Sequence, residues 1–318
     1  MAIYLTEAQI SELLTMEDTL TVLEELFVAR ARGEIVNRPR IRVPITAGAY
    51  NVMPASWLAR GVVGQKVYTA SAKGASFQIM LHAADGSGLM AVMGGGRISG
   101  LRTGGVTGLA ARVLGGAAVG GPVAVIGAGF QATMQVNGIV AATGTQDIRV
   151  WSRTADKREP FAARMAESTG VSVRPTETVE EALDGAPIVV TITNSAEPVL
   201  RADQVGPGMT IIAAGNNTWL RSEIDPAIFA KADLVVVDDL ENARVEAGEL
   251  MRAAELGHIS WDRVASLADV IAGGRAGRTS ADQLIVCELQ GIGIEDVAVA
   301  ELVARRARER GIGTELPA

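Results

Sequence analysis

The stretch Val123–Ala142, VAVIGAGFQATMQVNGIVAA, decides the fold. An apolar run leads into a turn built on Gly127 and Gly129, and residues at helical spacing follow. This predicts strand, turn and helix in immediate succession. Gly127 allows the tight turn, Gly129 lets the backbone approach a pyrophosphate, and Ala132 replaces a third glycine where the helix packs on the strand. With Ala128, Phe130 and Gln131 completing the turn, the free N–H groups of the helix N-terminus would hold phosphates.

Strand and helix patterns alternate beyond this point. DIRVWSR, VSVRPT, PIVVTIT, MTIIAAG and DLVVVDD read as strands, with KREPFAARMAEST, TVEEALDGA and IDPAIFAKA as helices between them. Continuous Val/Ile runs mark strands buried on both faces of a parallel sheet, which predicts a Rossmann-type doubly wound domain. Ahead of the fingerprint the pattern differs. TEAQISELL opens on a capping-box pattern, and MEDTLTVLEELFVARARGE places Leu20, Leu23, Phe27 and Ala31 on one helix face, ending at Gly33. Short strands RIRVPI, AYNVMPA, VVGQKVYT, FQIMLHAA and GLMAVMGG follow, separated by Gly, Pro and Asp-Gly breaks, as in an antiparallel or mixed sheet. RISGLRTGGVTGLAARVLG reads as a helix. The small-residue segment GGAAVGGP, 115–122, is the boundary between the two patterns. The closing IEDVAVAELVARRARERG is an amphipathic helix long enough to return to the first domain.

Bulk properties narrow the class. The 318 residues suffice for two domains, and a net charge of −7 offers no basic surplus for nucleic acid. The single cysteine, Cys287, excludes an intramolecular disulfide, and His82 and His258 lack ligand spacing, so no metal site is expected. No membrane-length apolar run or leader pattern is present, and the expected setting is the cytoplasm.

The end of the second strand of the parallel series selects the cofactor. An Asp or Glu there would accept hydrogen bonds from the adenosine ribose of NAD(H). Ser152, Arg153 and Thr154 instead offer a cation and two hydroxyls, which suit a 2′-phosphate. NADPH/NADP+ is therefore expected, with NAD(H) the second choice; a surface-turn role for Arg153 is the competing reading. Thr103, Thr191 and Thr193 are further candidate cofactor contacts.

RPRIRVPITAGAYNVMPA, GQKVYT, GLMAVMGGGRISGLRTGGVTGLAARVL, the fingerprint VAVIGAG with its QA, and the tail GRTSADQLIVCELQGIGIEDVAVA occur in an order that resembles the ornithine cyclodeaminase/mu-crystallin family over nearly the whole chain. The resemblance implies an α+β substrate and dimerisation domain formed by the N-terminal segment and C-terminal helix, residues 1–117 with 288–318. The Rossmann domain would then span 118–287, and the protein would be a homodimer. It further implies that Arg40, Lys66 and Arg102 hold a small anionic substrate. Their chemistry agrees: a guanidinium can clamp a carboxylate, and a lysine near the reacting carbon can donate a proton. Taken alone, Lys66 reads as a solvated strand residue and Arg102 as a surface residue of a helix start. Arg42 rivals Arg40, since strand alternation would put both on one face. Asp296 matches the family's closing-helix Asp and would orient groups near the substrate, or would simply be a charge favoured by the helix dipole. Trp219 could line the pocket or be ordinary packing.

The sequence departs from the family at TIIAAGNNTWLRSEID. Family cyclodeaminases carry an Asp two residues after this glycine, where Asn217 stands here beside Asn216. Asn cannot serve as a general base. Gln78 and His82 also stand where family members often carry Thr and an apolar residue. Cyclodeamination needs repeated proton transfers, whereas reduction of a preformed imine needs one hydride, one proton and a carboxylate anchor. The expectation is an NADPH-dependent oxidoreductase acting on a C=N bond next to a carboxylate. Its substrates would be imines, oxo acids or amino acids, with Lys66, Arg102 and Asn217 at the reacting centre. The alternatives are an ornithine or lysine cyclodeaminase using NAD+, and a non-catalytic NADPH- and ligand-binding protein like mu-crystallin.

Overall fold

The computed structural model describes residues 1–317. The chain forms two compact units, Met1–Arg102 together with the residues from Ile292 onward, and Thr103–Gly291.

The first unit is built on a mixed sheet of β1 (Ile3–Leu5), β2 (Ile35–Asn37), β3 (Ile41–Ile45), β4 (Gly48–Trp57), β5 (Val62–Ser71), β6 (Gly74–Ala83), β7 (Leu89–Gly94) and a last strand, Thr314–Glu315. The order is Thr314–Glu315, β1, β7, β6, β5, β4, β2, with β3 also pairing on β4. Only β1 and β7 are parallel; consecutive hairpins join β3 to β7, and the pairs β2–β4 and β1 with Thr314–Glu315 are also antiparallel. Two short strands, Ile3–Leu5 and Thr314–Glu315, carry too few residues for a readable alternation, and they pair only because the chain ends meet.

The helices Glu7–Leu13 and Met16–Ala31 begin on capping boxes; Thr6 accepts from the N–H of Gln9 at 3.3 Å and Thr15 from that of Asp18 at 3.2 Å. Leu20, Leu23 and Phe27 are buried as their spacing predicts. Ala31 is not; it lies exposed in the last turn, and Leu26 and Ala29 carry the buried face instead. The helix Gly293–Arg310 packs on β4 and β5, the expected return of the C-terminus. Its start lies so close to β4 that a Cβ on Gly293 would stand 2.7 Å from the Met53 carbonyl oxygen. That approach sets Glu295 and Asp296, in the helix's first turn, over the sheet.

The second unit is an all-parallel sheet of β8 (Val123–Ile126), β9 (Asp147–Trp151), β10 (Ser172–Pro175), β11 (Ile188–Thr191), β12 (Thr210–Ala213), β13 (Leu234–Val237), β14 (Val264–Ser266) and β15 (Ile285–Glu288). The order is β10-β9-β8-β11-β12-β15-β13-β14. The strand direction of winding reverses between β8 and β11, so the carboxyl ends of these two strands flank the crevice where open α/β sheets take their ligands. β8, β11, β12, β13 and β15 are buried at every position, which explains their uninterrupted apolar sequences. The doubly wound fold expected from the sequence is the one observed. No helix among the described residues is long and apolar enough to cross a membrane.

Candidate functional site

In the first unit, strand alternation puts Val62, Gly64 and Lys66 on the buried face of β5. A lysine thus occupies a core position, and its partners come from two other elements. Lys66 Nζ lies 2.8 Å from Asp296 Oδ2 and donates to Ser99 Oγ at 3.1 Å. Arg102 approaches Asp296 Oδ1 through Nε at 3.3 Å and Glu295 Oε2 through Nη1 at 2.7 Å. Its Nη2 reaches Ser99 at 3.5 Å. Arg40 is buried, 8 % exposed, with its guanidinium 5.9 Å from the Tyr68 ring. Tyr68 stacks on Phe77 at 5.1 Å, and Lys66 Nζ stands 5.6 Å from the Tyr68 ring and 5.9 Å from the Phe77 ring. Arg40, Lys66, Arg102, Glu295 and Asp296 are all buried. With Lys66 protonated, three cations against two carboxylates leave a surplus of one positive charge, which a single bound carboxylate would neutralise.

Burial disfavours the charged form of Lys66, and Arg102 and Arg40 repel it; Asp296 pulls the other way, and the balance brings Lys66 down to about 7. Although burial opposes it, the Asp296 and Glu295 carboxylates raise Arg102 above its already high value. Burial pushes Glu295 upward against the pull of Arg102. A lysine poised at neutrality exchanges a proton readily, while Arg102 remains a fixed cation.

The structure thus brings together Arg40, Lys66, Arg102 and Asp296, and it separates Arg42 from Arg40. Arg40 precedes β3, so the alternation expected to align them does not reach it, and Arg42 lies on an exposed strand. Asp296 is fully buried and paired, not simply a helix-start charge. The sequence reading missed Glu295 and Ser99. The signal for the first was available, since an acid pair inside the otherwise apolar run GIGIEDVAVA points to buried charge. His82 is half-buried on β6, and Gln78 is exposed.

In the second unit, Gly127 has φ +134°, and a Cβ there would meet the Ile192 carbonyl oxygen at 2.2 Å. The protein's own packing therefore demands glycine at this position. Gly129 differs: nothing lies within 4 Å of its would-be Cβ. It is the N-cap of the helix Phe130–Thr143, and no side chain caps that helix. Uncapped N–H groups over open space suit a pyrophosphate. Two buried oxygens lack a hydrogen-bond partner: Gln131 Oε1, two residues after Gly129, and Thr191 Oγ1, at the end of β11 opposite Ile126 of β8. These features fit a dinucleotide. Ser152 donates to the Thr154 carbonyl at 3.2 Å; Arg153 and Thr154 are exposed. Thr103 is half-buried, and Phe130 is 75 % exposed.

The N–H of Thr193 donates to Glu223, which also accepts from the N–H of Gly215 at 2.6 Å. Asn216 is buried and donates to the Arg221 carbonyl at 2.7 Å and to Glu249 at 2.9 Å, while Asn217 is half-buried. Trp219 is 65 % exposed, so it is not a packing residue of this unit. Among the described residues, no group of His, Cys, Asp or Glu is placed to hold a metal ion.

A mixed-sheet unit with buried cations, joined in one chain to a Rossmann-type unit with an open glycine turn, defines a class of two-part dinucleotide-binding proteins. The chain belongs to the ornithine cyclodeaminase/mu-crystallin family, whose model matches residues 2–311. It is 34 % identical over 191 residues to an uncharacterized cyclodeaminase of Sinorhizobium fredii, covering 60 % of this chain and 57 % of that protein. It therefore spans little more than half the length of that relative. The iminosuccinate reductase of Paracoccus denitrificans is 28 % identical, with 98 % of each chain covered. Among solved structures, an archaeal alanine dehydrogenase dimer with bound NAD superposes with a TM-score of 0.92 at 28 % identity, covering 99 % of each chain.

Proposed function

We propose that this protein is a nicotinamide-dependent reductase of a C=N bond adjacent to a carboxylate, working in reverse as an amino-acid dehydrogenase. The observation that carries this reading is Lys66, buried beside two guanidinium groups and brought down to about 7. Arg40 and Arg102 take the substrate carboxylate, matching the single surplus positive charge. The Lys66 ammonium donates a proton to the imine nitrogen, and Asp296 holds Lys66 in place for this transfer. Ser99 fixes the ammonium from a second direction. The reduced cofactor supplies the hydride taken up by the imine carbon. Gly127 and Gly129 shape the turn that would hold the cofactor's pyrophosphate. Arg153, exposed and without a carboxylate partner among the described residues, is available for a 2′-phosphate; this favours NADPH over NADH. The relatives' names, an iminosuccinate reductase and an alanine dehydrogenase, fall in this reaction class.

The apolar residues exposed on β3, Ile41, Val43 and Ile45, support a homodimer, since an uncovered edge of this kind invites pairing. Light scattering reads that directly, and a monomer would contradict it. The activity test follows oxidation of NADPH, with NADH in parallel, against cyclic and acyclic imines of 2-oxo acids. Turnover with NADPH preferred is expected. Loss of ammonia from ornithine with NAD+, and no imine reduction, would instead establish a cyclodeaminase. Dinucleotide binding with neither reaction would leave a binding protein.

A further inference from the structure

A carboxylate that the reaction does not consume lies in the second unit. Glu223 is fully buried, and its two oxygens accept from two different loops: the N–H of Thr193, after β11, and the N–H of Gly215, after β12. The ends of the two strands are joined directly where Ala214 N–H donates to the Thr191 carbonyl at 3.0 Å; beyond that bond the N–H groups of Thr193 and Gly215 cannot bond one another, and they share Glu223 as acceptor. The loops meet very closely. A Cβ on Gly215 would stand 2.4 Å from both the N and the O of Thr193, and 2.6 Å from Glu223 Oε1. Glu223 is itself secured, because its N–H lies 3.4 Å from Glu249 Oε1 and its carbonyl accepts from Val199 at 2.8 Å. The segment between Gly215 and Glu223 is held by Asn216, which bridges Arg221 and Glu249, and by close packing on Gly248, whose would-be Cβ lies 2.3 Å from the Arg221 carbonyl oxygen.

We propose that Glu223 is a positioning residue of the dinucleotide site. Its ionised carboxylate buckles the loop after β11 to the loop after β12 and fixes the wall of the crevice at the β8–β11 switch point. This rests on the reading that the second unit binds a nicotinamide dinucleotide. Sequence gave no reason to single out Glu223, because its partners are backbone N–H groups rather than a side chain.

The ionised form is the one that works. A carboxylate accepts at both oxygens, whereas a protonated carboxyl turns one of them into a donor facing an N–H. The charged groups facing Glu223 are Glu249 from the helix Gly248–Glu255 and Glu288 at the end of β15; Asp238, beyond β13, acts in turn on Glu288. Arg221 is directed elsewhere, to the Asn194 carbonyl at 3.3 Å. Burial and the Glu249 charge push Glu223 up to about 7. The buckle is therefore closed above neutrality and released below it.

The test uses the full chain. NADH and NADPH affinity is measured by nicotinamide fluorescence at about pH 6 and about pH 8, alongside hydrogen exchange at the Thr193 and Gly215 amides corrected for intrinsic rates. NADH serves as the reference because its phosphates do not titrate in this range. In the wild type, NADH should bind roughly tenfold more weakly at the lower pH, the loss expected for one charged hydrogen bond, and both amides should exchange faster. Glu223→Gln should bind weakly at both, because glutamine offers one acceptor and turns an NH2 toward the other N–H. Its KM for cofactor should rise while kcat at saturation stays near wild type. Glu249→Gln should move the wild-type midpoint to lower pH, which keeps the proposal testable if Glu223→Gln does not fold. Amides equally protected at both pH values, a Glu223→Gln protein with wild-type affinity and pH dependence, or an unmoved midpoint in Glu249→Gln would each overturn the proposal. Failure to bind either dinucleotide at any pH would overturn the cofactor reading, and the proposal with it.

Discussion

In the first unit the buried carboxylates of Glu295 and Asp296 lie within hydrogen-bond distance of Arg102 and Lys66. In the second, Glu223, Glu249 and Glu288 are equally buried, yet among the described residues none is in a salt bridge. Backbone and amide N–H groups are their donors instead, with Glu288 Oε1 left without a partner. Desolvation penalises whichever form is charged, so it moves a lysine and a carboxylate in opposite directions. Lys66 is drawn down to about 7 from above, and Glu223 is pushed up to about 7 from below. The paired cluster keeps a net positive charge suited to an anion. The acidic cluster has no such surplus, and its carboxylates bind the protein's own loops.

The sharpest way to break this contrast is Lys66→Met. If Lys66 is the proton donor, kcat for imine reduction should fall by about 10²–10⁴-fold with dinucleotide affinity unchanged; an intact kcat would remove Lys66 from the reaction. Next, Arg102→Met leaves Glu295 without the cation it is paired with and Asp296 with Lys66 alone at bonding distance. Urea denaturation should show a loss of about 3–5 kcal/mol, and a neutral result would mean that the pairing is not what holds this cluster.

The two glycines of the fingerprint separate packing from ligand binding. Gly127→Ala drives a Cβ against the Ile192 carbonyl at a positive φ, and should cost about 1–3 kcal/mol of stability. Gly129→Ala meets open space, so stability should change by no more than about 0.5 kcal/mol while dinucleotide affinity drops. Equal stability losses in both would show that the turn is built by packing alone.

The pH dependence joins the two clusters. If Lys66 is the proton donor, imine reduction should decline as pH rises through about 7, whereas the proposed Glu223 buckle needs the carboxylate and should weaken as pH falls through about 7. The product is a bell centred near neutrality for kcat/KM measured at subsaturating cofactor. Saturating cofactor should flatten the acidic limb alone. The smallest effect expected is for Arg153→Ala, an exposed residue: NADPH affinity should fall by roughly tenfold or less, with NADH unaffected. Equal losses for both cofactors would assign Arg153 to the surface turn rather than to a 2′-phosphate.

The strands and helices of the second unit were legible because their signals are local. A strand buried on both faces must be apolar at every position, and a turn that admits a phosphate must be glycine. The absence of an acid at the end of β9, too, is a matter of which residues follow in line. The first unit was legible as hairpins, and the roles of Arg40, Lys66 and Arg102 came from resemblance, not from spacing. What tertiary structure alone decided is the company these groups keep. Arg102 and Asp296 are 194 residues apart and meet because the helix Gly293–Arg310 starts against β4 at Gly293. Arg40 and Arg42 part because one lies before β3 and the other on it. Glu223 gains its place from backbone N–H groups of two loops, which no side-chain pattern encodes. Sequence periodicity reports which face of an element is buried; the charge state of a buried group depends on what the rest of the chain brings to that face.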